Sequence, residues 1–168
     1  MSAPPATVRP PHPVVDPGAL ADIYAHARRD YPNECCGIVF GPKAEARASR
    51  AQACANIQND LHAADPAAHA RDARTAYNLG AGDLLKLGKS LRGEQPAKII
   101  YHSHVDIGGD GCYFSATDQA AALMDGEPSY PVEYLVVDVH ADAVRGAAQF
   151  AWDDAGKKYV EIGRYGGG

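Results

Sequence analysis

The chain has no apolar run long enough to cross a bilayer or to form the core of a secretory leader. A membrane anchor is therefore not indicated, and a cytoplasmic location is expected. It also has no concentrated charge of one sign. Its 16 Lys and Arg and 21 Asp and Glu are dispersed, with a formal charge of −5, which argues against a nucleic-acid footprint and against a polybasic membrane patch. A protein or small-molecule partner is expected instead. Cysteine is sparse: the four thiols include the adjacent Cys35 and Cys36, and a chain of this length buries enough core to need no disulfide framework, so reduced thiols are expected. There is no internal repeat. The length of 168 residues suits one compact domain.

Local signals divide the chain into a tail and a folded body. Residues 1–15 carry prolines at 4, 5, 10, 11 and 13 and are expected to form a disordered, partly polyproline-like tail. Asp16-Pro17 has the form of a helix N-cap with proline in the first turn, followed by Leu20, Ile23, Tyr24, Ala27 and Tyr31 at helical spacing. Residues 35–40 form an apolar run interrupted by Gly37 and closed by Gly41-Pro42, which fits a buried strand with Glu34 at its mouth. A weaker strand is expected over 46–57, and the polar stretch 58–75 is expected to be a loop. A leucine-bearing helix over 84–91 stops at Gly93, and strands are expected over 132–139, 145–152 and 157–162. The folded body is placed at 16–165, and residues 166–168 are expected to form a flexible glycine tail. Strands and helices mix without regular alternation, which favours an α+β or three-layer arrangement around one sheet.

The chemistry concentrates in Ile99 to Asp118, IIYHSHVDIGGDGCYFSATD. In a strand, residues two apart share a face, so His102 and His104 can converge on one ion while Tyr101 and Ser103 point away. Imidazole binds zinc well, and a catalytic zinc usually takes three protein ligands. Asp118 is the candidate third ligand, because a helix starting at Ser115 can return it towards the strand end. Two plainer readings stand beside this one. Ser-x-x-Asp is also a capping-box pattern that satisfies helix N-terminal amides, and two histidines at a strand end can be structural. Glu34 tips the balance towards hydrolysis, since a carboxylate that is not a ligand can take a proton from an activated water and pass it to a leaving amine.

Taken together, Asn33-Glu34-Cys35-Cys36-Gly37-Ile38-Val39-Phe40-Gly41, His102-Ser103-His104 and Ser115-x-x-Asp118 resemble the JAMM metalloproteases, also called catalytic MPN domains. The leading helix, the Ala76-Tyr77-Asn78-Leu79 segment and the apolar strands after the motif follow the same order, so the resemblance covers about residues 17–165. It implies a single curled, mixed and largely antiparallel sheet flanked by helices, of the kind shared with cytidine deaminases. It implies zinc held by His102, His104 and Asp118 with water as fourth ligand, Glu34 as general acid/base and Ser115 as oxyanion donor.

The implied reaction is cleavage after the C-terminal Gly-Gly of a ubiquitin-like or sulfur-carrier protein, most like the bacterial stand-alone, Mec-type peptidases. A homodimer is one arrangement left open. The competing reading is a non-catalytic MPN-like scaffold, which would be expected to have lost one of these five residues. An amidohydrolase barrel would need a longer chain.

One feature departs from the family pattern. Ten residues separate His104 from Ser115, three more than is usual, and Gly108, Gly109 and Gly111 give the loop freedom to bulge. The loop brings Asp106 and Cys112 into consideration as modulators of the metal, Cys112 because thiolate is a good zinc ligand.

Overall fold

The computed structural model describes residues 6–168. Among these the order is β1 (Val14–Val15), α1 (Pro17–Asp30), β2 (Cys36–Phe40), β3 (Arg47–Ala48), β4 (Arg50–Cys54), α2 (Gln58–Ala64), α3 (Ala81–Ser90) and β5 (Ala97–Val105). There follow α4 (Ala116–Ala122), β6 (Leu123–Met124), β7 (Glu127–Pro128), β8 (Glu133–Val139), β9 (Val144–Asp153) and β10 (Lys158–Gly166).

The main sheet runs β10-β9-β8-β5-β2-β4 and is open at both edges. Every neighbouring pair is antiparallel except β5 and β8, which are parallel. This is the mixed, largely antiparallel sheet expected. Its central strands are apolar on both sides because both faces are covered. One core holds Ile23, Tyr24 and Ala27 of α1 against Val39, Ile99, Tyr101, Leu135 and Val137. The other holds Leu87 of α3 with Ile38, Phe40, Ile100, Tyr134, Val136 and Phe150. Consecutive residues of β2 and β8 thus go to opposite layers, as a two-residue period requires.

Gly37 is the break in β2, and its reason is a close approach: a Cβ there would lie 2.3 Å from the Tyr101 ring. Asp16 occupies the N-cap position of α1 but makes no side-chain cap. It pairs instead with Arg47 at 2.7 Å.

Two secondary-structure expectations change. The stretch expected as a loop contains α2, whose one buried residue is polar, Gln58. Hydrogen bonds hold this helix: Gln58 Nε2 donates to the Arg71 carbonyl at 2.7 Å, and Asn59 Oδ1 accepts from the Ala73 amide at 2.8 Å. A helix anchored in this way shows no apolar period for a sequence reading to find. The weak strand over 46–57 is two short strands, β3 and β4.

Of the stretch expected as a disordered tail, residues 1–5 lie outside the described residues and 6–15 pack on the body. Val8 and Val15 are buried, Thr7 exchanges hydrogen bonds with Arg164, and β1 pairs with β3. The two valines bury apolar surface, and β10 offers an edge with free backbone groups, which together fix the segment. The glycines at 166–168 are likewise tied: Gly166 ends β10 and the Gly168 amide donates to Val144 at 3.1 Å.

Candidate metal centre

Strand β5 sorts its side chains by parity. Tyr101 and Ser103 point into the α1 layer, where the Tyr101 hydroxyl lies 2.7 Å from His26 Nδ1 and Ser103 Oγ accepts the Cys35 amide at 2.8 Å. His102 and His104 point the other way, with their Nε2 atoms 3.3 Å apart. Helix α4 then brings in Asp118. Its capping box is fully formed: Ser115 Oγ accepts the Asp118 amide and Asp118 Oδ2 accepts the Ser115 amide, both at 3.0 Å. The same Oδ2 lies 3.3 Å from His102 Nε2 and 3.4 Å from His104 Nε2. Capping and site-building are therefore one arrangement, because the cap fixes the carboxylate that completes the triangle. Ser115 uses its oxygen in the cap and keeps its own proton to donate.

This triangle fits a zinc ion. Tetrahedral zinc with bonds of about 2.0–2.1 Å keeps its ligand atoms about 3.3–3.4 Å apart, which matches the three edges. The donor chemistry fits too. His104 Nδ1 lies 3.0 Å from the Gly111 carbonyl, which can only accept, so the ring proton sits on Nδ1 and Nε2 carries its lone pair inward. Burial pushes the His102 pKa down, with Asp118 opposing, and this favours the neutral imidazole. Burial pushes the Asp118 carboxyl up, yet His102, His104 and the Ser115 amide hold it well below the usual carboxylate range. Two imidazole Nε2 atoms and a carboxylate oxygen, all on buried residues, thus converge on one point.

Glu34 stands at the mouth of β2, only 5% exposed. It lines, with His104, Ser115 and Asp118, a cleft of about 630 Å³. Its pKa is pushed up to about 9, chiefly by burial, with the Asp118 charge adding and Arg71 opposing. Its backbone is fixed on both sides, since its amide donates to Ala73 O at 2.7 Å and its carbonyl accepts from Asn56 Nδ2 at 2.9 Å.

The long loop separates its residues. Cys112 is buried and gathers with Asp110 and Asp138, ligand atoms within 4.8 Å of one another, in a group distinct from the histidine triangle. Burial and the two carboxylates push its thiol up to about 12. Asp106 is more than half exposed and accepts the Tyr31 hydroxyl at 2.6 Å. Neither residue joins the triangle.

The family of prokaryotic homologues of the JAB domain matches residues 16–152. The chain belongs to this family. Among curated proteins it is 35% identical over 83 residues to the CysO-cysteine peptidases of Mycobacterium tuberculosis and Mycobacterium bovis, and the match spans 49% of this chain and 48% of each relative. Among solved structures it resembles a Desulfitobacterium hafniense protein (TM-score 0.60, 18% identity, 88% of this chain and 87% of the other). It also resembles a Salinibacter ruber protein (TM-score 0.53, 22% identity, 88% and 86%). At these identities the two solved structures speak for the fold alone.

In this JAB domain several residues around the triangle escape the sequence reading. Tyr77 stacks on His102 with ring centres 4.2 Å apart and planes at 18°, which fixes that imidazole from the side. Asp138 lies in register beside His104 across the parallel β5–β8 pair. Its Oδ2 accepts the Gly111 amide at 3.2 Å while the Gly111 carbonyl holds His104, and its Oδ1 lies 3.0 Å from His140 Nε2. The route from Asp138 through the Gly111 peptide to His104 is an outer hydrogen-bond shell of the kind that orients metal-binding histidines. Asp138 follows directly on the apolar run Leu135-Val136-Val137 of β8, and an acid in that run was the available signal.

Proposed function

We propose that this JAB domain is a zinc-dependent peptidase that hydrolyses the bond after the C-terminal Gly-Gly of a ubiquitin-like or sulfur-carrier protein. The observation that carries the reading is the His102–His104–Asp118 triangle of zinc dimensions facing the same cleft as the buried Glu34. The mycobacterial relatives, named CysO-cysteine peptidases, support the choice of carrier.

A bound zinc ion supplies a polarised water with its pKa lowered towards about 7, and favours the ionised form of Glu34. Glu34 accepts the proton of the attacking water and returns it to the leaving nitrogen. Ser115 donates a hydrogen bond from its hydroxyl to the scissile carbonyl oxygen as negative charge grows there, and the cap at Asp118 holds it ready. His102 and His104 are held in orientation, one by Tyr77 and the other by Gly111. A Gly-Gly tail suits the cleft because an extended chain without side chains can approach buried groups closely.

The test measures zinc content and cleavage together, on a ubiquitin-fold carrier extended past Gly-Gly. Glu34→Gln is expected to retain zinc and lose cleavage by about 10²–10⁴-fold, whereas His104→Ala loses both. Full activity in Glu34→Gln would sink the mechanism. A zinc-loaded wild-type protein that binds the carrier without cutting it would make this a binding module.

A further inference from the structure

The cleft beside Glu34 carries cations that the proposed chemistry leaves unused. Arg71 and Arg74 both line it, both are exposed, and among the described residues neither guanidinium has a carboxylate partner, unlike Arg47 and Arg164. The segment bearing them is fixed. The Arg71 carbonyl accepts Gln58 Nε2 at 2.7 Å, the Ala73 amide donates to Asn59 Oδ1 at 2.8 Å, and the Ala73 carbonyl accepts the Glu34 amide at 2.7 Å. The one acid between them, Asp72, turns a carboxylate oxygen to the Arg74 amide. The arginines are therefore held on backbone bonded directly to that of Glu34, and the Arg71 charge is felt at the Glu34 carboxyl. Two unpaired guanidiniums in the cleft of a chain with net charge −5 call for an anion on the substrate.

The geometry of the leaving group says which anion. In a residue joined to Gly-Gly through its α-nitrogen, the α-carboxyl carbon lies about 2.5 Å from that nitrogen. The nitrogen must come within hydrogen-bond reach of Glu34 to receive its proton, which brings the carboxylate to the same end of the cleft. A lysine ε-nitrogen in an isopeptide bond has no such carboxylate nearby. We infer that Arg71, with Arg74 beside it, binds the free α-carboxylate of a single residue following Gly-Gly. The domain thereby removes one terminal amino acid and discriminates against isopeptide and internal peptide bonds. This rests on the peptidase reading above.

The experiment uses the full chain loaded with zinc and the carrier CysO bearing one C-terminal cysteine, as the free acid and as the primary amide. Wild type is expected to favour the acid by about ten- to a hundredfold in kcat/KM, mainly through KM, the value of a charge-assisted hydrogen bond. Arg71→Gln with Arg74→Gln is expected to abolish that preference, and circular dichroism checks that these surface changes leave the fold intact. Equal cleavage of acid and amide by wild type would overturn the inference while leaving the peptidase reading standing. So would a preference that survives in the double variant. Cleavage of neither substrate would overturn the peptidase reading and the inference with it.

Discussion

Gly111→Ala is a small change whose consequence is read best at a distance. A Cβ at this position would lie 2.6 Å from both Cγ and Oδ1 of Asp138, against 3.4 Å for ordinary contact, so the two must separate by about 0.8 Å. Asp138 is 3% exposed and flanked by packed strand residues, so the loop moves rather than the acid. The Gly111–Asp138 hydrogen bond, now 3.2 Å, would open to about 4 Å and cease to exist, and the carbonyl that holds His104 would move with it. Loss of an outer-shell partner weakens metal binding by about 10–100-fold, and overpacking costs about 1–3 kcal/mol. Competition with a chromogenic chelator measures the first quantity and urea unfolding the second. Gly108→Ala is the control, since nothing lies within 4 Å of its added Cβ, and it should stay within about 0.5 kcal/mol of wild type. Zinc affinity unchanged in Gly111→Ala would refute the claim that this peptide orients His104.

Ser115→Ala removes a helix cap and the proposed oxyanion donor together. It should lose about 1 kcal/mol of stability and about 10²–10³-fold in kcat, a drop larger than thermal shift measurements alone would suggest. Tyr77→Ala should weaken zinc binding by removing the ring stacked on His102, seen by the same chelator competition, while Tyr113→Ala, at an exposed ring beside His104, should do less. In chelator-treated protein Glu34 is pushed up from 4.5 to about 9. The folded state then holds a proton that the unfolded state has released, so its contribution to stability is full below about 4.5 and declines as pH rises towards about 9. Glu34→Gln should flatten that part of the curve in melting experiments, and an unchanged slope would count against a buried protonated Glu34.

How far the sequence could be read depended on whether position alone fixes a side chain. His102 and His104 were legible because a strand's period of two leaves no choice of face. Ser115 and Asp118 were legible because the capping box is local, with four residues setting its geometry. Glu34 was recognisable only beside the other motifs, since nothing local to it says that it is buried. The helix Gln58–Ala64 went unread because amide side chains reaching across the loop hold it. Val8 and Val15 look like parts of a proline-rich tail until β10 and β3 supply something to pack on. Tyr77, Asp138 and Arg71 reach the site through the crossing of distant segments, which no spacing along the chain encodes. Cys112, a plausible zinc ligand by residue type, points instead into its own group with Asp110 and Asp138.

The parallel pairing of β5 with β8 sets His104 opposite Asp138, and the peptide of Gly111 is clipped between them. This divides the long loop into two independent stretches. The stretch before the clip, with Gly108 and Gly109 in open space, can lengthen, shorten or change sequence without transmitting a shift to the histidines. The clip thus frees the middle of the loop to evolve: a lineage can try new rims for the cleft in residues 107–109 while the centre beneath keeps its dimensions.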